Sequence, residues 1–393
     1  MPEGEQRVTP LELFFDLIFV FAITQVTGLM SADPTWHGLG EGLLVLAALW
    51  WAWGAYAWLT NLLEPEAVRV RLAMFSAMAA MLVVALAVPQ AFGEDGVLFG
   101  VAYLVVRLLN LVLIKLAVRG EADLLRAVTR IVPSTTVAPV LLLVAGFTDG
   151  GVQAALWIVA LSVDFSGALM GRGEGWRVSP AHFAERHGLI VIIALGESIV
   201  AIGLGASGLT LSLQEIAAAV LGVAVLAALW WAYFDVFALY AQRKLADARG
   251  AARATLARDY YSYLHLPLIA GIVLFALGLK KALEQVADPL DLVPAVALSG
   301  GLGLYFLSHV AFRFRLDRSF GRGRPLTALV LFALTPLVLE VPALAALAFV
   351  AAVCGLLTAY DVVHYREERR RVRDGRWDPS LIPVPGESRP SPG

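Results

Sequence analysis

Twelve apolar runs, each near the length needed to cross a bilayer, constrain this chain more than any other feature. They fall at roughly 11–31, 40–62, 70–89, 96–117, 131–147, 152–170, 187–206, 214–239, 260–280, 292–311, 325–340 and 343–364. One helical span takes about 20 predominantly apolar residues. Most of the runs are separated by Gly, Pro or clusters of charge. The fifth and eleventh are the shortest, and tilted, broken or re-entrant segments there would lower the count to ten. Composition agrees: 59% of residues are hydrophobic and 16% charged, against about 45–50% and about 25% in soluble domains. The expected fold is all-α, a polytopic integral membrane helical bundle of about 12 transmembrane helices. A soluble enzyme is excluded.

The distribution of Lys and Arg tests the count. With the N-terminus in the cytoplasm, the inner loops carry Arg69 and Arg71, then Lys115, Arg119, Arg126 and Arg130, then Arg172, Arg177 and Arg186. Further inner loops hold Arg243, Lys244, Arg249, Arg253 and Arg258, then Arg313, Arg315, Arg318, Arg322 and Arg324. The outer loops hold only Lys280 and Lys281. Cytoplasmic loops are enriched in Lys and Arg, so an even count with both ends cytoplasmic is expected, in the cell (inner) membrane. The N-terminus lacks the basic region and cleavage site of a secretory signal, and the first helix is expected to be retained. Single Cys354 lies in an apolar run and reads as a small core residue. After about residue 366 the chain turns basic and then Pro- and Ser-rich, which predicts a disordered tail.

The two halves resemble each other. LWWAWGAYAWL (49–59) matches LWWAYFDVFALY (229–240), and ELFFDLIFVFAI from Glu12 matches ERHGLIVIIAL from Glu185 with one gap. Tyr103 and Arg107 align with Tyr305 and His309, and the run ending near Asp164 aligns with the run ending at Asp361. Six spans per unit give a parallel internal repeat, an arrangement that some secondary transporters use with a site between the halves. The expected organisation is a cytoplasmic N-terminus (1–10), a first six-helix half (11–170), a second six-helix half (171–365) and the tail (366–393).

Ionisable groups inside spans cost at least about 2.5–3.5 kcal/mol each on insertion scales and normally face the bundle interior or a cavity. Arg107 lies midway along the fourth run, Glu197 midway along the seventh and Asp164 in the sixth. Arginine keeps its proton and needs a carboxylate, carbonyls or water, so a pair with Glu197 or with Asp164 is expected, either structural or part of a substrate, ion or proton site. Glu12 and Asp16 share one face of the first helix at i and i+4. Glu185 and Arg186, with His182 and His187, begin the seventh. Together these groups predict a cluster at the inner ends of the two helices, either a hydrogen-bonded network or a titratable vestibule. Asn61, Asn110, Asp235, His265 and His309 read as interhelical hydrogen-bonding groups.

No metal-ligand spacing, P-loop, HExxH or GxSxG motif is present, and no span has a central lysine for a Schiff base. No cofactor, no metal and no nucleic-acid partner is expected; the partners are the lipid bilayer and an unknown small molecule or ion, with a homo-oligomer left open.

VTPLELFFDLIFVFAITQV (8–26) and HFAERHGLIVIIALGESIVAIG (182–203) are similar to the two signature stretches of the bacterial low temperature requirement protein A family, and the resemblance runs from about residue 7 to about 365. His187 departs from the aromatic residue usual there. The resemblance implies a multi-pass membrane protein and no particular substrate. It carries Glu12, Asp16, Glu185, Arg186, Gly196 and Glu197 as signature positions. The first functional expectation is therefore a secondary transporter, proton-coupled or not, with a midplane polar site, and not an enzyme. An intramembrane lipid-modifying enzyme and a structural or sensory protein for cold adaptation are the alternatives.

Overall fold

The computed structural model describes residues 7–63, 67–170, 173, 175–207 and 212–364. Residues 1–6, Arg172 and the tail from 365 lie outside the described residues, so the expected disordered tail does too. The first half holds α1 (Pro10–Ala32), α2 (Trp36–Thr60), α3 (Val68–Ala87) with a 3-10 turn (Val88–Gln90), α4 (Gly96–Ala117), α5 (Ala122–Ala145) and α6 (Gly150–Met170). The second holds α7 (Pro180–Gly205), α8 (Leu213–Phe234), α9 (Phe237–Asp247), α10 (Gly250–Ala257), a π-helical segment (Arg258–Leu264), α11 (His265–Glu284), α12 (Leu292–Asp317), α13 (Gly323–Ala333), α14 (Thr335–Val338) and α15 (Ala343–His364). Among the described residues no strand occurs beyond one isolated bridge, Pro289 to Pro342.

Eleven helical stretches among the described residues are long and apolar enough to cross a membrane, with α8–α9 counted as one and α10–α11 as one. The count expected from the sequence was about twelve. The fifth run is a full-length helix, whereas the eleventh is broken into α13 and α14. Pro336 explains the break: it has no N–H for the carbonyl of Phe332, and its ring crowds that turn. At the break Thr335 instead exchanges a hydroxyl hydrogen bond of 2.9 Å with Ser299 on α12.

The chain enters α1 through a capping box. Thr9 N–H donates to Glu12 Oε2 at 2.9 Å, and Glu12 N–H donates to Thr9 Oγ1 at 3.4 Å, which satisfies two donors the first turn leaves open. Packing then follows one order in each half. In the first, α1 lies on α2 and α3, α3 on α4, α4 on α5, α5 on α6, and α2 closes against α6. In the second, α7 lies on α8 and α11, α11 on α12, α12 on α13, α13 on α15, and α8 closes against α15. Tyr103 on α4 donates to the Ala48 carbonyl of α2 at 3.0 Å, and Tyr305 on α12 donates to the Leu229 carbonyl of α8 at 2.7 Å. The halves meet where α1 and α2 pack on α7 and α11.

Close approach needs small residues, because lipid supplies no hydrophobic drive between helices. A Cβ on Gly271 of α11 would lie 2.6 Å from the Gly301 carbonyl oxygen, and one on Gly301 of α12 would lie 2.8 Å from that of Gly271. The outer ring is apolar and exposed, as at Leu72, Leu86, Val220 and Leu329; with lipid as solvent, such a surface needs no cover.

Candidate functional site

Arg107 and Asp164 find each other. Arg107 Nη2 donates to Asp164 Oδ1 at 2.7 Å, and each side chain is only 2% exposed. A second contact, 3.4 Å from Nη1 to the Trp51 carbonyl, fixes the guanidinium against α2. Arg107 Nε and Asp164 Oδ2 have no hydrogen-bond partner. The pair lines a cavity of about 120 Å³. Its walls come from α2 (Trp50, Trp51, Trp58), α5 (Ile131, Ser134, Thr135) and, from the second half, Arg258 and Ser262.

Ser262 closes that wall because of a proline. In a π-helical turn a carbonyl is taken by the N–H five residues on. For Ser262 that residue is Pro267, which has none. Trp50 Nε1 donates to the Ser262 carbonyl at 2.7 Å, and Trp58 Nε1 donates to its hydroxyl oxygen at 3.0 Å. Two indoles of the first half thus hold the irregular turn of the second.

A separate cluster ties α1 to α7. Glu12 uses Oε2 for the capping box and places Oε1 2.9 Å from His182 Nε2. Asp16 Oδ1 accepts from Trp53 Nε1 at 2.9 Å. Arg186 Nη2 lies 2.9 Å from the same oxygen, off the direction of a linear hydrogen bond, and its guanidinium sits 5.7 Å from the centre of the Trp53 ring. Glu12, Asp16, His182 and Arg186 are all fully or nearly fully buried. Two carboxylates here face one guanidinium, and one proton, on the imidazole or on a carboxylate, balances the charge. Removing a single member of such a buried set strands its partner.

Glu197 does not join Arg107. It accepts from the Thr24 hydroxyl of α1, and its Oε1 has no partner. Glu185 stands apart too: it is exposed and accepts from Val8 N–H at 3.2 Å, unlike buried Glu12, with which it aligns. Apart from Glu185, the residues singled out in the sequence therefore fall into three places: the Arg107–Asp164 pair, the Glu12–Asp16–Arg186 cluster and the Thr24–Glu197 contact.

Sequence reasoning missed the organisation of the histidines. His187, His265 and His309 each place Nδ1 2.8, 2.9 and 3.0 Å from a carbonyl of their own helical segment. A carbonyl only accepts, so Nδ1 carries the proton and a neutral ring leaves Nε2 as an acceptor. His265 Nε2 meets the Tyr233 hydroxyl at 2.8 Å. The Nε2 atoms of His187 and His309 have no partner. Spacing from Phe183 to His187 and from Tyr305 to His309 was the available signal, since i to i−4 is helix-carbonyl distance. Among the described residues no group of three or more His, Cys, Asp or Glu could hold a metal ion.

The family model described as bacterial low temperature requirement A protein matches residues 7–359. The chain belongs to the bacterial low temperature requirement A family. It is also similar to an uncharacterised protein of Rhizobium meliloti (strain 1021), 34% identical over 281 residues, which is 68% of this chain and 67% of that one. No solved structure matches it. Both clusters, the pair and the α1–α7 cluster, fall inside the matched region.

Proposed function

We propose that this low temperature requirement A protein is a proton-coupled secondary transporter of the cell membrane, in which the broken pair α13 and α14 completes a twelfth crossing and both termini are cytoplasmic. The observation that carries the reading is the Arg107–Asp164 pair, a buried and incompletely satisfied ion pair that lines a cavity reaching from the middle of α4 to the loop at Gly173 and Trp176. Burying two charges costs several kcal/mol per ion, and a well-packed apolar core would serve stability as well or better. A charged pair beside a cavity is the arrangement expected where a solute must be recognised inside a bilayer.

Two further features support it. The order of helix packing is the same in both halves, as are the tyrosine bonds from Tyr103 and Tyr305. We read these as a duplication of six helices, a plan in which one half rocks against the other. The cavity takes its wall from both halves, so rocking would open and close it. The α1–α7 cluster sits where the halves meet and needs one proton to become neutral, which suits it to couple that movement to a proton.

The test is solute-driven proton movement into proteoliposomes holding the full chain, with solutes added in pools. Wild type moves protons when the right pool is present, and Arg107→Gln and Asp164→Asn lose that movement while remaining folded. Equal movement in wild type and both folded variants would refute the site.

A further inference from the structure

The cavity has a definite chemical shape. Arg107 keeps one nitrogen, Nε, without a partner, on a group that is always positive. On its bonded partner Asp164, Oδ2 has no well-aligned hydrogen bond and lies beside the Trp51 side chain. The other charged lining group, Arg258, is engaged with Asp259 Oδ1 at 2.7 and 2.9 Å and with the Ala168 carbonyl at 3.2 Å. The remaining walls are mostly indole and aliphatic, as at Trp50, Trp51, Trp58 and Ile131, with the uncharged polar side chains Asn110, Ser134, Thr135 and Ser262 among them. At about 120 Å³ the space is slightly smaller than the ~150 Å³ engineered cavity that holds benzene. It suits a short branched aliphatic group.

A ligand of one charge would satisfy one member of the pair, repel the other and bring net charge into an apolar site. A neutral ligand would forgo charge-assisted hydrogen bonds, which are roughly twice as strong as neutral ones. A ligand with an anionic and a cationic group a bond or two apart complements both members of the pair and stays neutral overall. We infer that the cavity binds a zwitterionic α-amino acid with a small apolar side chain, its carboxylate on Arg107, its ammonium on Asp164 and its side chain against the indoles. This names a substrate class for the transport reading, and rests on that reading for movement of the bound ligand across the membrane.

Three probes share nearly one carbon skeleton: L-valine (zwitterion), isobutylamine (cation) and isovalerate (anion). Their binding to the purified full chain in lipid nanodiscs is read by tryptophan fluorescence and by equilibrium dialysis of labelled compound. L-Valine binds saturably, and both single-charge probes bind at least tenfold more weakly. Asp164→Asn weakens L-valine binding at least tenfold. Thr135→Ile narrows the cavity without touching the pair, abolishes L-valine binding and leaves the melting temperature unchanged, so the test survives if Asp164→Asn fails to fold. No saturable L-valine binding, a single-charge probe that binds equally well, or full L-valine binding by folded Thr135→Ile would overturn the inference. L-Valine bound but not taken up by proteoliposomes overturns the transport reading and leaves the site intact. Coupled uptake of another solute without L-valine binding does the reverse.

Discussion

Arg107 and Asp164 join α4 to α6 through a single buried contact of 2.7 Å that leaves one hydrogen-bonding atom on each residue unused. Removing one partner of such a pair typically costs about 3–5 kcal/mol, because the survivor is left charged in an apolar surround. Arg107→Leu and Asp164→Leu are each expected to lower the apparent melting temperature in detergent, and the double variant to recover much of the loss. Strictly additive shifts would show that the two side chains do not act as a pair.

Thr9→Ala and Glu12→Gln separate the two roles of Glu12. Loss of a capping hydroxyl costs about 1 kcal/mol, confined to the first turn of α1, and hydrogen exchange should rise there alone. Glutamine can still serve a capping box, but it carries no charge for His182 and Arg186. Glu12→Gln should therefore leave first-turn exchange near wild type and lower the melting temperature of the whole protein. Faster first-turn exchange in that variant with an unchanged melting temperature would contradict the division.

Gly271 and Gly301 set the spacing of α11 and α12. Overpacking of this kind costs about 1–3 kcal/mol, so Gly271→Ala should be clearly destabilised. A Cβ on Gly203 of α7 would meet nothing within 4 Å, so Gly203→Ala should change stability by less than about 0.5 kcal/mol. Thermal melts of the two variants side by side read the difference directly.

Cys354 is fully buried, so a new surface cysteine can be labelled against a silent background. Asp288→Cys and Arg249→Cys sit at exposed positions on opposite sides in the proposed orientation. In intact cells an impermeant maleimide should label Asp288→Cys and spare Arg249→Cys until the membrane is opened. The opposite pattern would invert the topology.

The spans were legible because period and length alone define a membrane helix, and the helices around Arg107, Asp164 and Glu12 lie where the runs predicted. The eleventh run was harder. Its hydropathy is that of a span, but Pro336 divides it, while Pro133 and Pro139 leave α5 continuous; which prolines break a helix depends on neighbours that sequence does not show. Pairing was only half legible. Cost required Arg107 to have a carboxylate, yet Asp164 and Glu197 sat at comparable depth, and only packing decides that α6 faces α4 while α7 turns Glu197 to Thr24. The Glu12–Arg186 cluster could be foreseen from one helical face each. Trp53, which bonds Asp16 and lies beside Arg186, could not, because nothing in its spacing marks it from its neighbours.

The π-helical segment between α10 and α11 holds more residues per turn than the helices it joins. Such a surplus can travel. If it passed along by one turn, each residue it crossed would rotate by about 100° and advance about 1.5 Å, while the helix stayed whole. Arg258, held at Asp259, begins that segment, and Ser262, gripped by two indoles, lies within it. A shift of that surplus would reshape one wall of the cavity without bending the helix that carries it.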